Sequence, residues 1–158
     1  MSTLERAIQL AARAHAGQKD KDGQPYILHP LRVMFGVEGG EARIVAVLHD
    51  TLEDTTLTEA DFRAAGFGES VVEGVKAVTH RKGESYADYV VRCSRLEVPR
   101  RVKLADLEDN ANLERALVRP DSLARDWARM HRYLLSYRFL TGRLTEEQYR
   151  ELMKGEEK

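Results

Sequence analysis

Apolar residues recur along most of the chain at the three- and four-residue spacing that places them on one face of an α-helix. The first such stretch carries Leu4, Ala7, Ile8 and Ala11. Ser2 followed by Glu5 predicts a capping box at its start, and Gly17 predicts its end. No strong alternation with a period of two residues is present, so we expect helices and not strands.

The same periodicity predicts further helices separated by short polar links. A short helix is expected to begin at Pro30, because proline suits the first helical position, and another runs from Glu41 to about Glu53. The remaining predicted helices begin at Thr58, Glu69, Ser85, Val98, Pro120 and Thr145, the last opening a second capping box with Gln148. No repeat or change of composition marks a second domain. We predict one all-α domain over residues 1–158, a bundle of eight to ten helices.

Composition and charge narrow the functional classes. The 158 residues include 25 Lys and Arg against 26 Asp and Glu, a net charge of −1 that gives no overall attraction to nucleic acid or to an anionic membrane. Cys93 is the only cysteine, so no disulfide forms within the chain. The charged start argues against a signal peptide, and no stretch approaches the ~20 apolar residues of a membrane span. We expect a cytoplasmic protein whose partner is a small molecule; its oligomeric state stays open.

Two neighbouring polar residues stand near the end of the helix predicted over 41–53. His49 and Asp50 follow a run built for burial, and Glu53 and Asp54 each lie four residues further, on the same helical face. Burying an imidazole and three carboxylates is costly unless a cation compensates them. Adjacent helical side chains lie about 100° apart, so His49 and Asp50 can both reach one ion. This segment therefore predicts a divalent metal site.

His29 and Asp106 are candidates for the remaining ligands. His29 precedes Pro30, which favours an extended backbone at a helix entrance. Asp106 lies among the apolar residues of 102–107, where a carboxylate needs a partner. Two imidazoles and two carboxylates suit Mn, Fe, Zn or Ni, and Mg less well. Taken singly, His29 is more often a loop histidine, Asp106 more often a charge on a helix surface, and a His-Asp dipeptide is common by chance. The prediction therefore depends on all of them occurring together.

Four segments occur in the order, and with the neighbours, of a known family. They are His15-Ala-Gly-Gln18, Gly23-Gln-Pro-Tyr-Ile-Leu-His29-Pro, His49-Asp-Thr-Leu-Glu-Asp-Thr55 and Lys103-Leu-Ala-Asp-Leu-Glu-Asp-Asn110. They resemble the hydrolase domain of RelA/SpoT-type proteins and the small stand-alone alarmone hydrolases, which are members of the HD superfamily. The resemblance covers well over half of the chain.

The resemblance implies a helical HD fold, a Mn²⁺ ion, and removal of the 3′-pyrophosphate from the guanosine alarmones ppGpp and pppGpp. The implied metal ligands are His29, His49, Asp50 and Asp106. The implied acidic pair, which acts on the attacking water, is Glu53 and Asp54. The candidate substrate contacts are Lys21, Tyr26, Lys103 and Asn110, with Arg43 as a further positive charge near the phosphates.

Three departures from the family pattern fall on the substrate side. Asp20 stands where the family usually has an arginine that stacks on guanine, Asp22 where serine is common, and Leu113 where threonine is common. Two added carboxylates should repel a polyanion unless they bind a second cation. The alternatives are an HD hydrolase acting on another nucleotide or small phosphoester, and a non-catalytic HD ligand-binding module, against which the intact Glu53–Asp54 pair argues. The chain is too short for us to expect an alarmone synthetase domain as well.

Other noteworthy residues are given mainly structural roles. His15 is expected to pack on the inner face of the first helix or to support the site, and His80 to be an ordinary surface or helix residue. The stripe of Trp127, Met130, Leu134 and Tyr137 is predicted to belong to the core. Arg92, with the nearby basic residues up to Lys103, is predicted to form a solvated basic face.

Overall fold

The computed structural model describes residues 3–113 and 123–155 of the chain. Within them the chain forms ten helices and no strand: α1 (Leu4–Ala14), α2 (Leu28–Phe35), α3 (Gly40–Leu48), α4 (Thr51–Asp54), α5 (Glu59–Ala64), α6 (Glu69–Val78), α7 (Tyr86–Ser94), α8 (Glu97–Asn110), α9 (Leu123–Leu140) and α10 (Glu146–Met153). Lys19 and Pro25 form one isolated bridge in the α1–α2 link. The predicted all-α bundle is confirmed.

Helix α3 is the centre of the bundle because it is apolar on almost every side. Residues 44–48 are all buried, and the last four of them are completely so. A helix that is apolar all round is stable only when neighbours cover it, and α1, α2, α6 and α8 pack around α3. The carboxyl end of α3 therefore lies deep in the protein, and this is where the predicted metal-binding pair begins.

The close approach of α6 to α3 depends on a glycine. Gly74 on α6 lies against Val45, and a Cβ at position 74 would come within 2.8 Å of Val45 Cγ2. Glycine weakens a helix by about 1 kcal/mol relative to alanine, but any side chain here would push α6 away from the core. Packing against α3 outweighs helix propensity at this position.

The start of α2 differs from its prediction. The helix begins at Leu28, two residues before the expected start at Pro30, so His29 is helical and not extended. Proline is tolerated in this first turn because the backbone N–H groups there have no helical acceptor.

The predicted helix over 41–53 is interrupted. Helix α3 ends at Leu48 and α4 begins at Thr51, with His49 and Asp50 between them. The expectation that His49 and Glu53 lie above one another on one continuous helix is therefore wrong. The bend between α3 and α4 brings the polar residues together in another way, described below.

The helix ends follow ordinary capping chemistry. Thr3 caps α1 by accepting a hydrogen bond from the backbone N–H of Arg6, whereas Ser2, predicted for this role, lies outside the described residues. The capping box of Thr145 and Gln148 is confirmed at α10. The predicted helix start at Pro120 also lies outside the described residues. Among the helices of the described ranges, none has the length and apolar content needed to cross a membrane.

Helix α9 does not bury the stripe that its sequence suggested. Trp127 is 66% exposed and Leu134 is 56% exposed, whereas Leu135 and Leu140 are buried. The core-facing side of α9 is therefore rotated away from Trp127, and the prediction of a core role for Trp127 and Leu134 is wrong. The spacing of these residues places them on one face of the helix, but it does not show whether another helix covers that face.

Candidate metal centre

His49 and Asp50 lie at the junction of α3 and α4. The backbone N–H of His49 donates to the carbonyl of Ala46, which tightens the last turn of α3. The carbonyl of Asp50 then accepts the N–H of Asp54 at 2.9 Å, so α4 starts at once. This bend leaves His49 Nε2 3.1 Å from Asp50 Oδ2.

Two other helices bring side chains to this junction. Helix α2 contributes His29, whose Nε2 lies 3.5 Å from Asp50 Oδ2 and 3.2 Å from Asp106 Oδ1. Helix α8 contributes Asp106, whose Oδ1 also lies 3.7 Å from His49 Nε2. Donor atoms of His29, His49 and Asp50 all lie within 4.8 Å of one another. The structure thus brings together the four residues predicted as metal ligands.

The donor atoms fit a divalent metal ion. His49 Nδ1 donates to the carbonyl of Ala46 at 2.7 Å, so in the neutral ring, the form that binds metal, Nε2 carries the lone pair. This buried nitrogen has no hydrogen-bond partner. Donors about 2.0–2.2 Å from one ion lie about 3 Å apart when adjacent, close to the spacings found here. Two imidazole nitrogens with two carboxylates form the mixed set that Mn, Fe and Zn accept.

The charges of the centre act strongly on one another. Burial alone lowers the pKa of His49, but Asp50 and Asp106 raise it well above its ordinary value. Burial raises the pKa of Asp50, yet His49 outweighs burial and lowers it to about 2. Burial also opposes ionisation of Asp106, and Lys103 holds the pKa of that carboxyl well below its usual range. Both carboxylates are therefore ionised, the state in which they bind metal.

A partly buried ion pair that the sequence did not reveal orients His29. Asp109 Oδ2 lies 2.7 Å from His29 Nδ1, and Arg32 donates to the same carboxylate at 2.6 and 3.2 Å. A proton on Nδ1 donates to Asp109 and leaves His29 Nε2 as a lone-pair donor for metal. Helical spacing held the signal, because Arg32 and Asp109 each lie three residues after a predicted ligand.

Asp106 is held by residues of its own helix. Lys103 Nζ donates to Oδ2 at 2.7 Å, and Asn110 Nδ2 donates to Oδ1 at 2.6 Å. Lys103 is 6% exposed, and its ammonium lies 4.6 Å from the centre of the Tyr89 ring, so a carboxylate and an aromatic face compensate its burial. Lys103 and Asn110 position Asp106 here, and their contact with substrate stays a prediction.

The predicted acidic pair lies on α4 beside the ligands. Burial and the charge of Asp50 raise the pKa of both Glu53 and Asp54. The hydroxyl of Tyr26 donates to Asp50 Oδ2 at 2.6 Å and lies 3.1 Å from Asp54 Oδ2, so it links a predicted ligand to the pair. The backbone N–H of His80 donates to Glu53 Oε2 at 3.1 Å. His80 was expected to be an ordinary surface residue, but its backbone fixes Glu53.

The segment His15-Ala-Gly-Gln18 supports the acidic pair through Gln18. Gln18 Nε2 donates to the carbonyl of Asp54 at 2.9 Å, and Gln18 Oε1 lies 2.8 Å from His15 Nδ1. The ring of His15 packs 4.9 Å from the ring of Tyr26. His15 therefore both packs and supports the site, and the two roles weighed for it from sequence are compatible.

The centre opens into a cavity of about 550 Å³. The predicted substrate contacts Lys21, Tyr26, Lys103 and Asn110 all line it. Arg43 is not among the lining residues, and its guanidinium donates to the carbonyl of Val37. A cavity of this volume is of the size that encloses small-molecule ligands.

The carboxylate of Asp20 is engaged by its own loop. It accepts the backbone N–H groups of Asp22 and Gln24, each at 2.9 Å. Asp20 and Asp22 nevertheless both line the cavity, so the two added negative charges do face a ligand there. One of the two departures that argued against a phosphate ligand stabilises a turn.

Comparison with known proteins shows which family the chain resembles. A family model for the HD domain matches residues 7–116. A guanosine-3′,5′-bis(diphosphate) 3′-pyrophosphohydrolase of Aquifex aeolicus is 38% identical over 121 residues, which are 68% of this chain and 17% of that protein. The bifunctional (p)ppGpp synthase/hydrolase SpoT of Escherichia coli is 39% identical over 80 residues, 48% of this chain and 11% of that protein. The chain thus spans less than a fifth of the length of these relatives.

A solved structure shares the fold at lower sequence identity. A metazoan ortholog of SpoT that hydrolyzes ppGpp superposes with a TM-score of 0.71 and 21% identity. The match covers 98% of this chain and 96% of that one. The helical arrangement is therefore common to both proteins over nearly their whole length.

Proposed function

The chain belongs to the HD domain family, and from this premise we propose that it is a metal-dependent phosphohydrolase that removes the 3′-pyrophosphate from ppGpp or a closely related nucleotide. One observation carries the proposal. His29, His49, Asp50 and Asp106 converge from three parts of the bundle around a buried, unpartnered imidazole nitrogen, next to an acidic pair that faces a ligand-sized cavity.

The proposed ion is Mn²⁺, held by these four side chains. Its support is the mixed set of two imidazole nitrogens and two carboxylate oxygens, which would hold Mn²⁺. When bound, the ion supplies Lewis acidity toward a phosphoryl oxygen and lowers the pKa of a bound water. Asp109 and Arg32 keep His29 aimed inward, as outer carboxylates do for metal-binding histidines.

The proposed chemistry on the protein side belongs to Glu53 and Asp54. Glu53 accepts a proton from the attacking water while the water oxygen attacks the nearer phosphorus of the 3′-pyrophosphate. Asp54, fixed by Tyr26 and Gln18, orients the same water. The bond from phosphorus to the ribose 3′ oxygen breaks, pyrophosphate leaves, and that oxygen takes up a proton. Lys21 offsets phosphate charge and Asn110 contacts the ribose or a phosphate.

The substrate part of the proposal has its own support. The Aquifex relative, 38% identical over two thirds of this chain, is named for removal of the 3′-pyrophosphate. The acidic pair is intact, which favours hydrolysis over ligand sensing. Leu113 and Asp22 are the features that keep a different nucleotide or small phosphoester as the second candidate.

A substrate panel tests the reaction. Protein loaded with Mn²⁺ is given ppGpp, GTP, GMP or a chromogenic phosphodiester, and the products are separated by ion-exchange chromatography. Pyrophosphate and GDP from ppGpp are the expected result. Products from the other compounds alone would instead select the alternative hydrolase, and binding of ppGpp without products would select the non-catalytic module.

A variant tests the role of Glu53. Glu53→Gln should lower kcat by about 100- to 10,000-fold, the usual contribution of a general base, while Mn²⁺ affinity measured by calorimetry stays unchanged. Glu73→Gln is the matched control, because Glu73 lies on the surface of α6 with a side chain 54% exposed. Full activity of Glu53→Gln would remove Glu53 from the mechanism.

A further inference from the structure

The residues that line the cavity are of two kinds. A charged floor, which includes the buried His29, Lys103 and Asp106, also holds Asp50 and the acidic pair. An apolar wall, exposed except at Met130, is made of Leu113, Leu123, Trp127 and Met130. A ligand seated by its phosphates on the floor would carry the rest of its structure toward this wall.

Three large apolar side chains of this wall are exposed to solvent. Leu113 is 83% exposed, Trp127 66% and Leu123 40%. Large apolar side chains cost free energy when they contact water, and an exposed apolar patch bordering a cleft marks a ligand site. The part of α9 that should gain most from being covered therefore lines the cavity that holds the metal centre.

The charged groups beside the wall are engaged with one another. Arg129 and Asp126, one turn apart on α9, form an ion pair and both line the cavity. Asp20 also lines the cavity, and its carboxylate accepts backbone N–H groups of its own loop. The wall thus offers an indole face and aliphatic surface, and the Asp126 and Asp20 carboxylates that line the same cavity have partners.

We propose that Trp127 is the stacking platform for the planar base of the substrate, and that this chain accepts purine nucleotides carrying a 3′-pyrophosphate with little regard to which purine they contain. The inference rests on the proposed function for its choice of a nucleotide. Stacking tolerates any base because every base has a π-face. Discrimination requires buried polar groups aimed at the base edge, and a hydrophobic surface rejects analogues only weakly.

The first test uses the fact that Trp127 is the only tryptophan of the chain. Tryptophan fluorescence is followed in the Glu53→Gln background with Mn²⁺ while ppGpp, its adenosine counterpart or inorganic pyrophosphate is added. Both nucleotides should quench the fluorescence at similar concentrations. Pyrophosphate alone, which has no ring, should bind the floor without quenching.

The second test measures nucleotide affinity by calorimetry in the same background. Trp127→Ala should weaken both nucleotides by about 5- to 150-fold, the range expected for loss of one base–aromatic stack, and Trp127→Phe should retain most of the affinity. Leu134→Ala is the matched control, because Leu134 lies two turns along α9, is 56% exposed and does not line the cavity. Its affinity should equal that of the parent.

The outcomes separate this inference from the proposed function. Quenching by both nucleotides with a loss of affinity in Trp127→Ala supports the stacking role even if the unmodified protein releases no pyrophosphate. Pyrophosphate release with unchanged affinity in Trp127→Ala overturns the stacking role and leaves the hydrolase intact. A preference of more than about tenfold for one purine overturns the base tolerance. Self-association that Trp127→Ala abolishes, with nucleotide binding unchanged, assigns the wall to a second copy and overturns the inference.

Discussion

Arg92 and Glu84 form one partly buried charged cluster of this protein, and the candidate metal centre forms another. At the link between α6 and α7, Arg92 donates to the two oxygens of Glu84 at 2.8 and 2.7 Å. The same guanidinium donates to the carbonyls of Ala77 and Thr79 at 2.7 and 2.9 Å. One cation and one carboxylate balance each other, and the spare N–H groups satisfy carbonyls left open at the end of α6.

The metal centre is not balanced in this way. Lys103 pairs with Asp106, but within the described residues the ion-pair partners of Asp50 are the two imidazoles. His49 Nε2 is buried and has no hydrogen-bond partner. Buried polar groups are almost always satisfied, so the unsatisfied cluster is the one that calls for a ligand.

The comparison teaches how to tell a structural cluster from a functional one. Both clusters contain charges that are at least partly buried. Charge alone did not distinguish the clusters in the sequence, where Arg92 was expected on a solvated basic face. That expectation is wrong, because the open carbonyls of α6 draw the guanidinium inward. Completeness of hydrogen bonding, which only coordinates reveal, separates the two clusters.

The largest expected effect is a loss of stability when the Arg92–Glu84 cluster is broken. Arg92→Met leaves the partly buried Glu84 without its guanidinium partner. It should lower the free energy of unfolding by about 3 kcal/mol, the lower end for a broken buried pair because both side chains keep some exposure. Urea denaturation measures it, and the loss should be the same with and without Mn²⁺. Arg95→Met, which removes an exposed pair with Glu146, should cost at most about 1 kcal/mol.

The stability contributed by the candidate metal centre should, in contrast, depend on Mn²⁺. Mn²⁺ at 100 times its Kd should raise the free energy of unfolding by about 2.7 kcal/mol, and Asp50→Asn should remove most of this gain. Thermal unfolding with Mn²⁺ or a chelator measures the effect. An equal response to Mn²⁺ in Asp50→Asn would contradict the assignment of Asp50 as a ligand.

A smaller effect is expected outside the ligands themselves. Asp109→Asn should weaken Mn²⁺ binding by about tenfold, the lower end for a residue that orients a ligand, because asparagine keeps an oxygen that can accept from His29 Nδ1. Calorimetric titration with Mn²⁺ measures it. Glu108→Gln, one residue away and exposed, is the control and should bind Mn²⁺ normally.

The smallest effect concerns pH. Arg92 lowers the pKa of Glu84 below its ordinary value of 4.5, so this pair stabilises the fold above about pH 4.5 and loses that contribution as pH falls through the lower folded pKa. The stability difference between the parent and Arg92→Met should therefore shrink below pH 4.5. A difference independent of pH from 6 to 3, measured by urea denaturation, would show that the ion pair does not cause it.

Much of the site could be predicted because its motifs are local. The pairing of His49 with Asp50 and the acidic residues that follow belong to one short segment, and the helical spacing around Asp106 lies within another. The geometry expected for His49 and Glu53 failed, since a break after Leu48 cannot be seen in a run of good helix formers. Asp109 and Arg32 were missed because their role depends on contact between α8 and α2, which the spacing within one helix does not show.

The sequence by itself determined that the chain is helical, where most helices lie and which residue types are available to bind a cation, since these depend on periodicity and capping over a few residues. Tertiary structure alone decided which side chains meet. His29 and Arg32 reach Asp109 across 80 and 77 residues of chain, and Trp127 faces a cavity and not the core. Contacts over such separations depend on how α2, α8 and α9 pack against the buried α3, because the helical repeat fixes a residue's face but not the neighbour that covers it.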